Sequence, residues 1–418
     1  MIHGQQIGTV TGKPNTSQLF QQSYNSQTNK PSVVPRRKKT EVRGVNLYAD
    51  FSGCGHWRMI WPEILLNGYH HAVVHGTTTM CYDENFWASI NVVRLQRQAS
   101  PTQKEYSEFL NSKKHLRTMY EIDDVLFIDD IPDYNKYRKA FDNNNVQQSA
   151  RDIIQMCDEV TVTCDFMKKY YMSKTTNKNV TVIPNFMPRF WLDGFFNEKD
   201  KQVQYDHSVK KRKKPRVLWS GSGAHFNQSK DLKQDDFTHI NKIIESTLNK
   251  YQWVLFGSVP QPLQEHVKSG KIEFHKWVPI YDYPRKLASL KATVCIAPLV
   301  DNIFNNSKSD LKFIESCAMG TPVICQDMET YRHTPYKFST GAELVDQIDA
   351  IVSNKLTYMK ISRKFREAAN NRWLEDNINV YKELYTHPYK HKDRVEINKI
   401  NKDNFYDMST SDIVFPKV

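Results

Sequence analysis

The 418-residue sequence predicts an α/β protein made of two doubly wound domains in tandem. Short apolar and β-branched runs alternate with helical segments along most of the chain. This alternation is the pattern of parallel strands joined by crossover helices. It stops at a basic segment, 210–216, and then starts again, so we expect two sheets. A chain of this length is long enough to bury two separate cores.

The first domain contains six predicted strands, because runs rich in Val, Ile, Thr and Tyr are bounded there by turns and helical segments. The predicted strands lie at 44–49, 72–74, 91–95, 118–122, 159–163 and 180–185. The predicted helices lie at 58–66, 101–116 and 146–157, with a further short helix after 163.

The second domain repeats the alternation with five predicted strands. They lie at 216–220, 253–257, 272–277, 292–299 and 322–325, and the helices lie at 235–249, 281–290 and 309–319. Gly320 is the residue expected just past a helix C-terminus, and Pro322 prevents the helix from continuing. Two doubly wound domains in tandem, with a helical C-terminus, predict a ligand in the cleft where the carboxyl ends of the two sheets face each other.

The composition excludes several protein classes. Hydrophobic residues make up 39% of the chain, as in a globular protein, and no apolar stretch is long enough to span a bilayer. The N-terminus lacks the apolar segment of a signal peptide. Seven dispersed cysteines without a C-x-x-C motif argue against a disulfide framework or a zinc site, and they indicate a reducing compartment.

The formal charge of +12 is concentrated in three segments, at 36–39, at 210–216 and after 390. Such runs are usually solvated linkers or tails. Mobile cations can also neutralise the phosphates of a polyanionic partner without adopting a fold. With these segments we expect a disordered leader at 1–40, a first domain at 41–205 and a basic linker at 206–216. The remaining boundaries are a second domain at 217–372, a helix at 373–388 and a basic tail at 389–418.

One face of the helical segment near 309–319 is charged. Lys308, Lys312 and Glu315 line up there, because residues three and four apart are neighbours on a helix. The simplest interpretation is a solvated face with an ion pair worth a few tenths of a kcal/mol.

Several stretches together are similar to one known family. They are 52–55 with Arg58, Arg97-Gln98, 120–124, 182–185, and 296–299 with Phe304, Asn305, Ser307, Lys308, Ser309, Lys312 and Glu315. Through these motifs the region 44–388 resembles the retaining GT-B glycosyltransferases of the glycogen- and sucrose-synthase superfamily, which are family-four-like enzymes. The likeness is greatest to a branch found in bacteria and tailed bacteriophages. The resemblance implies two Rossmann-like domains facing a cleft, with the acceptor on the first domain and the nucleotide sugar on the second. It also implies that helix 373–388 returns to the first domain.

The resemblance places the donor site on the helix at 309–319. Glu315 would hold the ribose hydroxyls, since a carboxylate can accept from both hydroxyls of a diol. Lys308 and Lys312 would stabilise the leaving diphosphate, close to a helix N-terminus that attracts anions. Ser307 and Ser309 complete this part of the donor-binding set. The wider family carries a glutamate at the position of Ser307, so the resemblance leaves the sugar undefined.

Two turns supply the other implied donor contacts. Gly221, Ser222 and Gly223 would let backbone amides approach the phosphates, although glycine turns occur at strand–helix junctions of any α/β fold. Trp277 and Val278 would frame the nucleotide base, and Trp277 could equally be a core residue.

The acceptor side is implied at the first glycine turn. Gly53, Cys54 and Gly55 would form a loop that faces the donor across the cleft. Arg58 could reach a phosphate, or it could be a solvated residue at a helix start.

Asp123 and Asp124 follow the predicted strand at 118–122, and two roles are open for them. They could orient the acceptor hydroxyl or accept its proton, or they could be helix-capping and loop acids. Adjacent acids also suggest a metal, but GT-B enzymes generally need none for catalysis and no third ligand is evident. We therefore expect no cofactor beyond the UDP-sugar and no requirement for a divalent metal.

The implied activity is the transfer of glucose, or of a pentose such as arabinose, from a UDP-sugar to a hydroxyl group with retention of configuration. The favoured acceptor is a hydroxymethylated pyrimidine of duplex phage DNA, in the cytoplasm of the infected cell. The DNA-contact candidates are Lys210, Lys211, Arg212, Lys213 and Lys214. The alternatives are a surface glycan, lipid or protein acceptor, a nucleotide-sugar epimerase, and a non-catalytic DNA- or glycan-binding protein that keeps the fold.

Overall fold

The structure is a computed structural model that describes residues 42–192, 201, 205–206, 213–227 and 234–387. These residues contain two six-stranded sheets, and every strand pair in both sheets is parallel. Parallel strands need crossover connections, which place helices on the faces of each sheet. The predicted α/β architecture is therefore confirmed.

The first sheet has the strand order β2-β1-β3-β4-β5-β6. Its strands are β1 (Arg43–Leu47), β2 (Val73–Thr77), β3 (Val92–Gln96), β4 (Arg117–Glu121), β5 (Glu159–Val162) and β6 (Val180–Val182). The helices of this half are α1 (Gly53–Gly55), α2 (Trp61–Gly68), α3 (Glu84–Ala88), α4 (Pro101–Asn111), α5 (Arg138–Phe141), α6 (Asn144–Met156), α7 (Asp165–Lys174) and α8 (Arg189–Leu192). A π-helical turn, His56–Ile60, joins α1 to α2.

The second sheet has the order β12-β11-β10-β7-β8-β9. Its strands are β7 (Arg216–Gly221), β8 (Gln252–Gly257), β9 (Glu273–Lys276), β10 (Val294–Ala297), β11 (Val323–Gln326) and β12 (Lys337–Phe338). The remaining helices are α9 (Ile240–Ser246), α10 (Gln264–Lys268), α11 (Tyr283–Ser289), α12 (Ile303–Asn306), α13 (Leu311–Met319), α14 (Gly341–Val352), α15 (Lys355–Ala368) and α16 (Leu374–Thr386).

The helix boundaries follow local chemistry. Ser100 and Gln103 form a reciprocal capping box at the start of α4, and Thr340 and Glu343 form one at the start of α14. Gly320 ends α13 in the left-handed conformation, with φ of 59°. The predicted end of that helix is therefore confirmed.

One predicted helix is much shorter in the structure, and one strand was not predicted. The helix expected at 235–249 is only Ile240–Ser246, because the Asp235 carboxylate accepts from the backbone amide of Phe237 and holds a turn instead. The edge strand β12 was not predicted, since a two-residue strand has no recognisable pattern.

The last helix, α16, packs on the first half, as predicted. Arg117 on β4 donates to the carbonyl of Leu384 at 2.6 Å, and the Tyr385 hydroxyl donates to Asn46 on β1. Just before α16, Arg372 pairs with Asp310 of the second half at 2.8 Å. The two chain segments that join the halves run side by side. The Met187 amide donates to the Arg372 carbonyl, and the Leu374 amide donates to the Met187 carbonyl, both at 2.8 Å.

Candidate active site

The carboxyl ends of the two sheets meet at a cleft. Asn185, just after β6, donates to the Ser309 hydroxyl at 2.9 Å. Tyr134, from the loop after β4, donates to Asp236 of the second half at 3.0 Å. In doubly wound proteins this edge of the sheet is where ligands bind, so the contacts define the floor of a candidate site.

Lys312 points from α13 to the first strand of its own sheet. Its Nζ donates to the Ser220 hydroxyl at 2.9 Å, next to the Gly221 turn. Burial and the neighbouring Lys308 lower the pKa of Lys312, although Glu315 opposes them. A cation held in a desolvated position gains most from an anionic ligand, because the low local dielectric strengthens the attraction.

Glu315 is buried, with 6% of its surface exposed. The Tyr283 hydroxyl donates to its Oε2 at 2.9 Å. Burial raises the pKa of Glu315, while Lys312 and Tyr283 oppose the rise. A solvated surface ion pair, the simplest interpretation of this helix face, is therefore wrong for Glu315.

The aromatic surroundings fix Tyr283 in place. Its ring stacks on Trp191 with centroids 5.6 Å apart, and on Phe256 at 5.5 Å. Trp191 comes from α8, so both halves of the molecule help to set the position of Glu315. Because aromatic stacking resists rotation of the rings, the carboxylate is held by a rigid support.

The residues before α13 differ in accessibility. The Ser307 hydroxyl is fully buried and donates to the Ile303 carbonyl at 2.8 Å, within α12. Ser309 is partly buried and accepts from Asn185. Lys308 is partly buried, and its Nζ lies 5.1 Å from the centre of the Phe304 ring. Ser307, predicted to bind the donor, has its hydroxyl already engaged, whereas Lys308, predicted to act in catalysis, lies close enough to Asp124 to influence its pKa.

The glycine turn after β7 is tightly packed. A Cβ on Gly221 would lie 2.5 Å from the Trp219 ring. Ser222 caps the 3₁₀ turn Gly223–His225 by accepting from the Ala224 amide. Neighbouring Gly257 has φ of +109°, and a Cβ there would lie 2.4 Å from the Gly221 carbonyl. Only glycine fits at this close backbone approach.

Trp277 is 53% exposed and stacks on Phe256 with centroids 5.2 Å apart. It follows β9, at the same edge of the sheet as the glycine turn. Val278 is partly buried and packs on the core. Of the two alternatives that the sequence left open for Trp277, the structure excludes a core position. An exposed ring on a fixed support can stack on another flat ring.

Two polar residues near the turn were not identified from the sequence. His225 Nδ1 lies 2.8 Å from Asp236 Oδ2. Asp236 Oδ1 accepts from Tyr134, Asn305 and the Val300 amide at 3.0, 2.7 and 2.9 Å. Burial opposes ionisation of Asp236, but the hydrogen bond from His225 and the charge of Lys308 lower its pKa.

On the first half, Asp123 and Asp124 follow β4 as predicted. Burial and Asp123 raise the pKa of Asp124 to about 6, while Lys308 and Arg97 oppose the rise. Lys308 belongs to the second half, so Asp124 faces the donor-side lysine across the cleft. The backbone amide of Val125 donates to Asp124 Oδ1 at 2.9 Å.

Arg97 connects the acids of this edge. It pairs with Asp50, and its Nε lies 3.7 Å from Asp123 Oδ1. Its φ of +48° is uncommon for a residue with a side chain, and such conformations concentrate at functional sites. Burial and Asp123 raise the pKa of the nearby Cys54 thiol, so it stays neutral.

The first glycine turn wraps around Asp50. The Gly55 amide donates to Asp50 Oδ1 at 3.2 Å, and a Cβ on Gly55 would lie 1.9 Å from the Asp50 carbonyl oxygen. Among the described residues, no atom lies within 4 Å of a Cβ built on Gly53. Gly55 is therefore required by packing, and Gly53 lies beside open space.

Both interpretations of Arg58 that the sequence allowed are wrong. Arg58 is fully buried and pairs with Glu121 at 2.6 Å, and it also donates to the Ile183 carbonyl and to Asn185. Arg94 pairs with the same carboxylate. The burial of Arg58 could not be predicted from its position at the start of a helix, because its partner Glu121 lies 63 residues away in sequence.

The DNA-contact candidates fall mostly outside the described residues. Lys210, Lys211 and Arg212 lie there, whereas Lys213 and Lys214 are exposed. Lys214 donates to the Leu248 carbonyl at 2.6 Å. No group of three metal-ligating side chains lies together among the described residues. No helix in the described part of the chain is both long enough and apolar enough to cross a membrane.

No protein-family profile and no curated protein matches the sequence. Solved structures with the same fold do match. HepE from Anabaena, solved with UDP and glucose, is 10% identical with a TM-score of 0.52, over 82% of this chain and 98% of HepE. WaaG, a glycosyltransferase of lipopolysaccharide biosynthesis, is 11% identical with a TM-score of 0.51, over 83% of this chain and 100% of WaaG. The N-terminal domain of trehalose-6-phosphate phosphatase from Candida albicans is 7% identical with a TM-score of 0.53, over 82% of this chain and 96% of that domain. At these identities the likeness concerns the fold, and the fold of this chain is GT-B.

Proposed function

We propose that the protein is a glycosyltransferase that moves a sugar from a UDP-sugar to a hydroxyl acceptor with retention of configuration. The observation that carries the proposal is the position of Lys312, which is partly buried, and of Glu315, which is buried, on one side of α13. Lys312 reaches Ser220 near the end of β7, and Glu315 lies one helical turn further along. Tyr283 connects the two sides of the site, because it donates to Glu315 and its ring contacts the exposed ring of Trp277. A cation, a diol-binding carboxylate and an aromatic ring match the diphosphate, the ribose and the base of one UDP molecule.

The donor would lie with its diphosphate at the glycine turn 221–223. Lys308 and Lys312 would stabilise the negative charge that develops as the bond between the anomeric carbon and the phosphate oxygen breaks. Glu315 would accept from the ribose hydroxyls through Oε1, because Oε2 is engaged by Tyr283. The complex of HepE with UDP and glucose supports such a ligand for a protein with this fold.

The acceptor would approach from the side of Asp123 and Asp124. In the transfer, the acceptor oxygen bonds to the anomeric carbon and loses its proton, and the bonding electrons of the broken bond remain on the diphosphate. With retention by a front-face route, the proton passes to the leaving phosphate oxygen, and no enzyme nucleophile is needed. Asp124, which faces Lys308, would orient the acceptor hydroxyl by accepting a hydrogen bond.

As acceptor we propose a hydroxymethylated pyrimidine in duplex DNA of a bacteriophage. The net charge of +12, with basic runs at 36–39, 210–216 and after 390, supports a polyanionic acceptor. The resemblance to a branch common in tailed phages supports the same choice. The enzyme would either reach into the major groove or extrude the nucleotide, at a cost of a few kcal/mol.

Donor turnover with and without duplex DNA tests the proposal. We expect slow hydrolysis of UDP-glucose or a UDP-pentose by the protein alone, and faster UDP release with hydroxymethylated DNA than with unmodified DNA. A glycosyltransferase for a glycan, lipid or protein would hydrolyse the donor but ignore DNA. A non-catalytic DNA-binding protein would release no UDP under either condition, and this result would contradict the proposal.

A further inference from the structure

His225 pairs with the buried Asp236 beside the predicted diphosphate site. His225 is the last residue of the 3₁₀ turn that follows β7, five residues after Ser220, which binds Lys312. Its Nδ1 lies 2.8 Å from Asp236 Oδ2, and the Asp236 amide also donates to the His225 carbonyl at 3.1 Å. The imidazole is thus held through both its ring and its backbone.

The partners of Asp236 determine the tautomer of the histidine. Three donors occupy Oδ1 of Asp236, so the carboxylate is ionised and its Oδ2 accepts from Nδ1–H of His225. In a neutral imidazole the other nitrogen, Nε2, then carries a lone pair. No described residue binds Nε2, and 18% of the side chain is exposed. Lys308 and Lys312 lie close enough for their charges to act on the ring.

We propose that His225 is a further binding residue for the donor diphosphate, and that Nε2 takes up one proton from solvent when the diphosphate binds. The protonated ring then donates a hydrogen bond from Nε2 to a phosphate oxygen, while Nδ1 continues to donate to Asp236. This inference rests on the proposed function and adds a residue that the resemblance did not assign.

The charges around His225 explain why the proton arrives with the ligand. Asp236 favours the protonated ring, whereas burial and the two cations Lys308 and Lys312 disfavour it. Together they lower the pKa of His225 to about 4, so the empty site holds a neutral ring at neutral pH. A bound diphosphate would bring two negative charges beside the two lysines, and a nearby opposite charge raises the pKa of a histidine.

Proton uptake gives a test that a purely structural role would not satisfy. Titration calorimetry of UDP-glucose, at about pH 6 in two buffers with different ionisation enthalpies, measures the number of protons bound. UDP-glucose is a suitable probe because its diphosphate is esterified at both ends and stays doubly charged. We expect the parent to take up protons and to bind UDP-glucose more tightly as the pH falls from 8 to 6, by up to about tenfold per pH unit.

Two variants identify the group that takes up the proton. His225→Gln keeps a polar side chain but cannot be protonated, and we expect it to lose the uptake and the pH dependence. Asp124→Asn is the matched control, because Asp124 is another titrating group near Lys308 and its pKa of about 6 lies at the pH of the experiment, and the variant should retain the uptake of His225. Thermal unfolding of both variants shows whether they are folded.

The outcomes separate this inference from the proposed function. Unchanged proton uptake in a folded His225→Gln variant overturns the role of His225 alone. Loss of the uptake only in Asp124→Asn has the same consequence, because it assigns the proton to Asp124. A parent protein that does not bind UDP-glucose overturns both the inference and the proposed donor.

Discussion

The Tyr283 hydroxyl lies 2.9 Å from Oε2 of Glu315 and donates a hydrogen bond to it. Tyr283 begins α11 and Glu315 lies in the middle of α13, so the bond joins two helices of the second half. The stacking of Tyr283 on Trp191 extends the connection to α8. A carboxylate that is buried, oriented and bound through one oxygen leaves the other oxygen for a ligand.

Replacing Glu315 by alanine should weaken UDP-sugar binding about ten- to a hundredfold. The variant loses a charged hydrogen-bond acceptor, which is worth roughly 1.5–3 kcal/mol. Titration calorimetry with UDP-glucose measures the change. Glu265→Ala is the control, because the Glu265 side chain is 79% exposed on another helix. An affinity of the Glu315 variant equal to that of the control would show that this carboxylate does not contact the donor.

Lys308→Ala and Lys312→Ala should lower turnover more than they lower donor affinity. Their charge stabilises the leaving diphosphate most strongly when the bond to the sugar is breaking, and one such contact is worth about 3 kcal/mol, or roughly a hundredfold in kcat. Steady-state rates of UDP release measure the effect. Lys268→Ala, at an exposed lysine, serves as the control. Parent-like kcat values in both site variants would remove the lysines from the mechanism.

The raised pKa of Asp124 makes its contribution to stability dependent on pH. Its folded pKa of about 6 exceeds the ordinary value of 3.8, so the folded protein binds more protons than the unfolded chain between these values. The free energy of unfolding should therefore fall as the pH rises from about 4 to 6, by on the order of 2 kcal/mol from this group.

Urea unfolding of the parent and of Asp124→Asn at about pH 4 and pH 7 measures this contribution as a difference. Between these pH values, the free energy of unfolding should fall less in the variant than in the parent. Asp142→Asn, at an exposed aspartate, should follow the parent. If the free energy of unfolding depended on pH in the same way in the parent and in Asp124→Asn, this result would contradict the burial of the Asp124 carboxyl.

Glu121→Ala should destabilise the protein by about 3–5 kcal/mol. The substitution leaves Arg58 and Arg94 as two buried cations without their shared carboxylate, and an uncompensated buried charge is costly. Glu84→Ala removes one partner of an ion pair whose glutamate is 70% exposed, and it should cost under about 1 kcal/mol. Urea unfolding compares the two variants. Equal losses of unfolding free energy in the two variants would mean that the buried group of Arg58, Arg94 and Glu121 contributes no more to stability than a surface ion pair.

The fold could be predicted from the sequence because local features, such as apolar runs and helix-ending residues, agree with the long-range structure. Strands such as β8 are buried on both faces and therefore read as continuous apolar runs. The end of α13 was predictable from Gly320 and Pro322, since backbone geometry at a helix end is a local property. The spacing of Lys312 and Glu315 was also readable, because it depends only on the helical repeat.

The partners of these residues were not predictable, since they depend on contacts between distant segments. Nothing near His225 in the sequence indicates Asp236, and Tyr134 reaches that carboxylate from 102 residues away. Arg58 resembled an exposed helix-start residue, although Glu121, Ile183 and Asn185 satisfy it in the interior. Charge and spacing in the sequence identify candidate side chains, but only the folded structure shows which of these side chains contact each other.

Mass spectrometry of the nucleosides from hydroxymethylated duplex DNA, after incubation with the protein and a UDP-sugar, tests the central claim most directly. The account predicts a hydroxymethylpyrimidine nucleoside heavier by one hexose or one pentose residue, formed by the parent and strongly reduced with Lys312→Ala. Unmodified nucleosides, together with UDP-sugar that is neither bound nor consumed, would contradict the account.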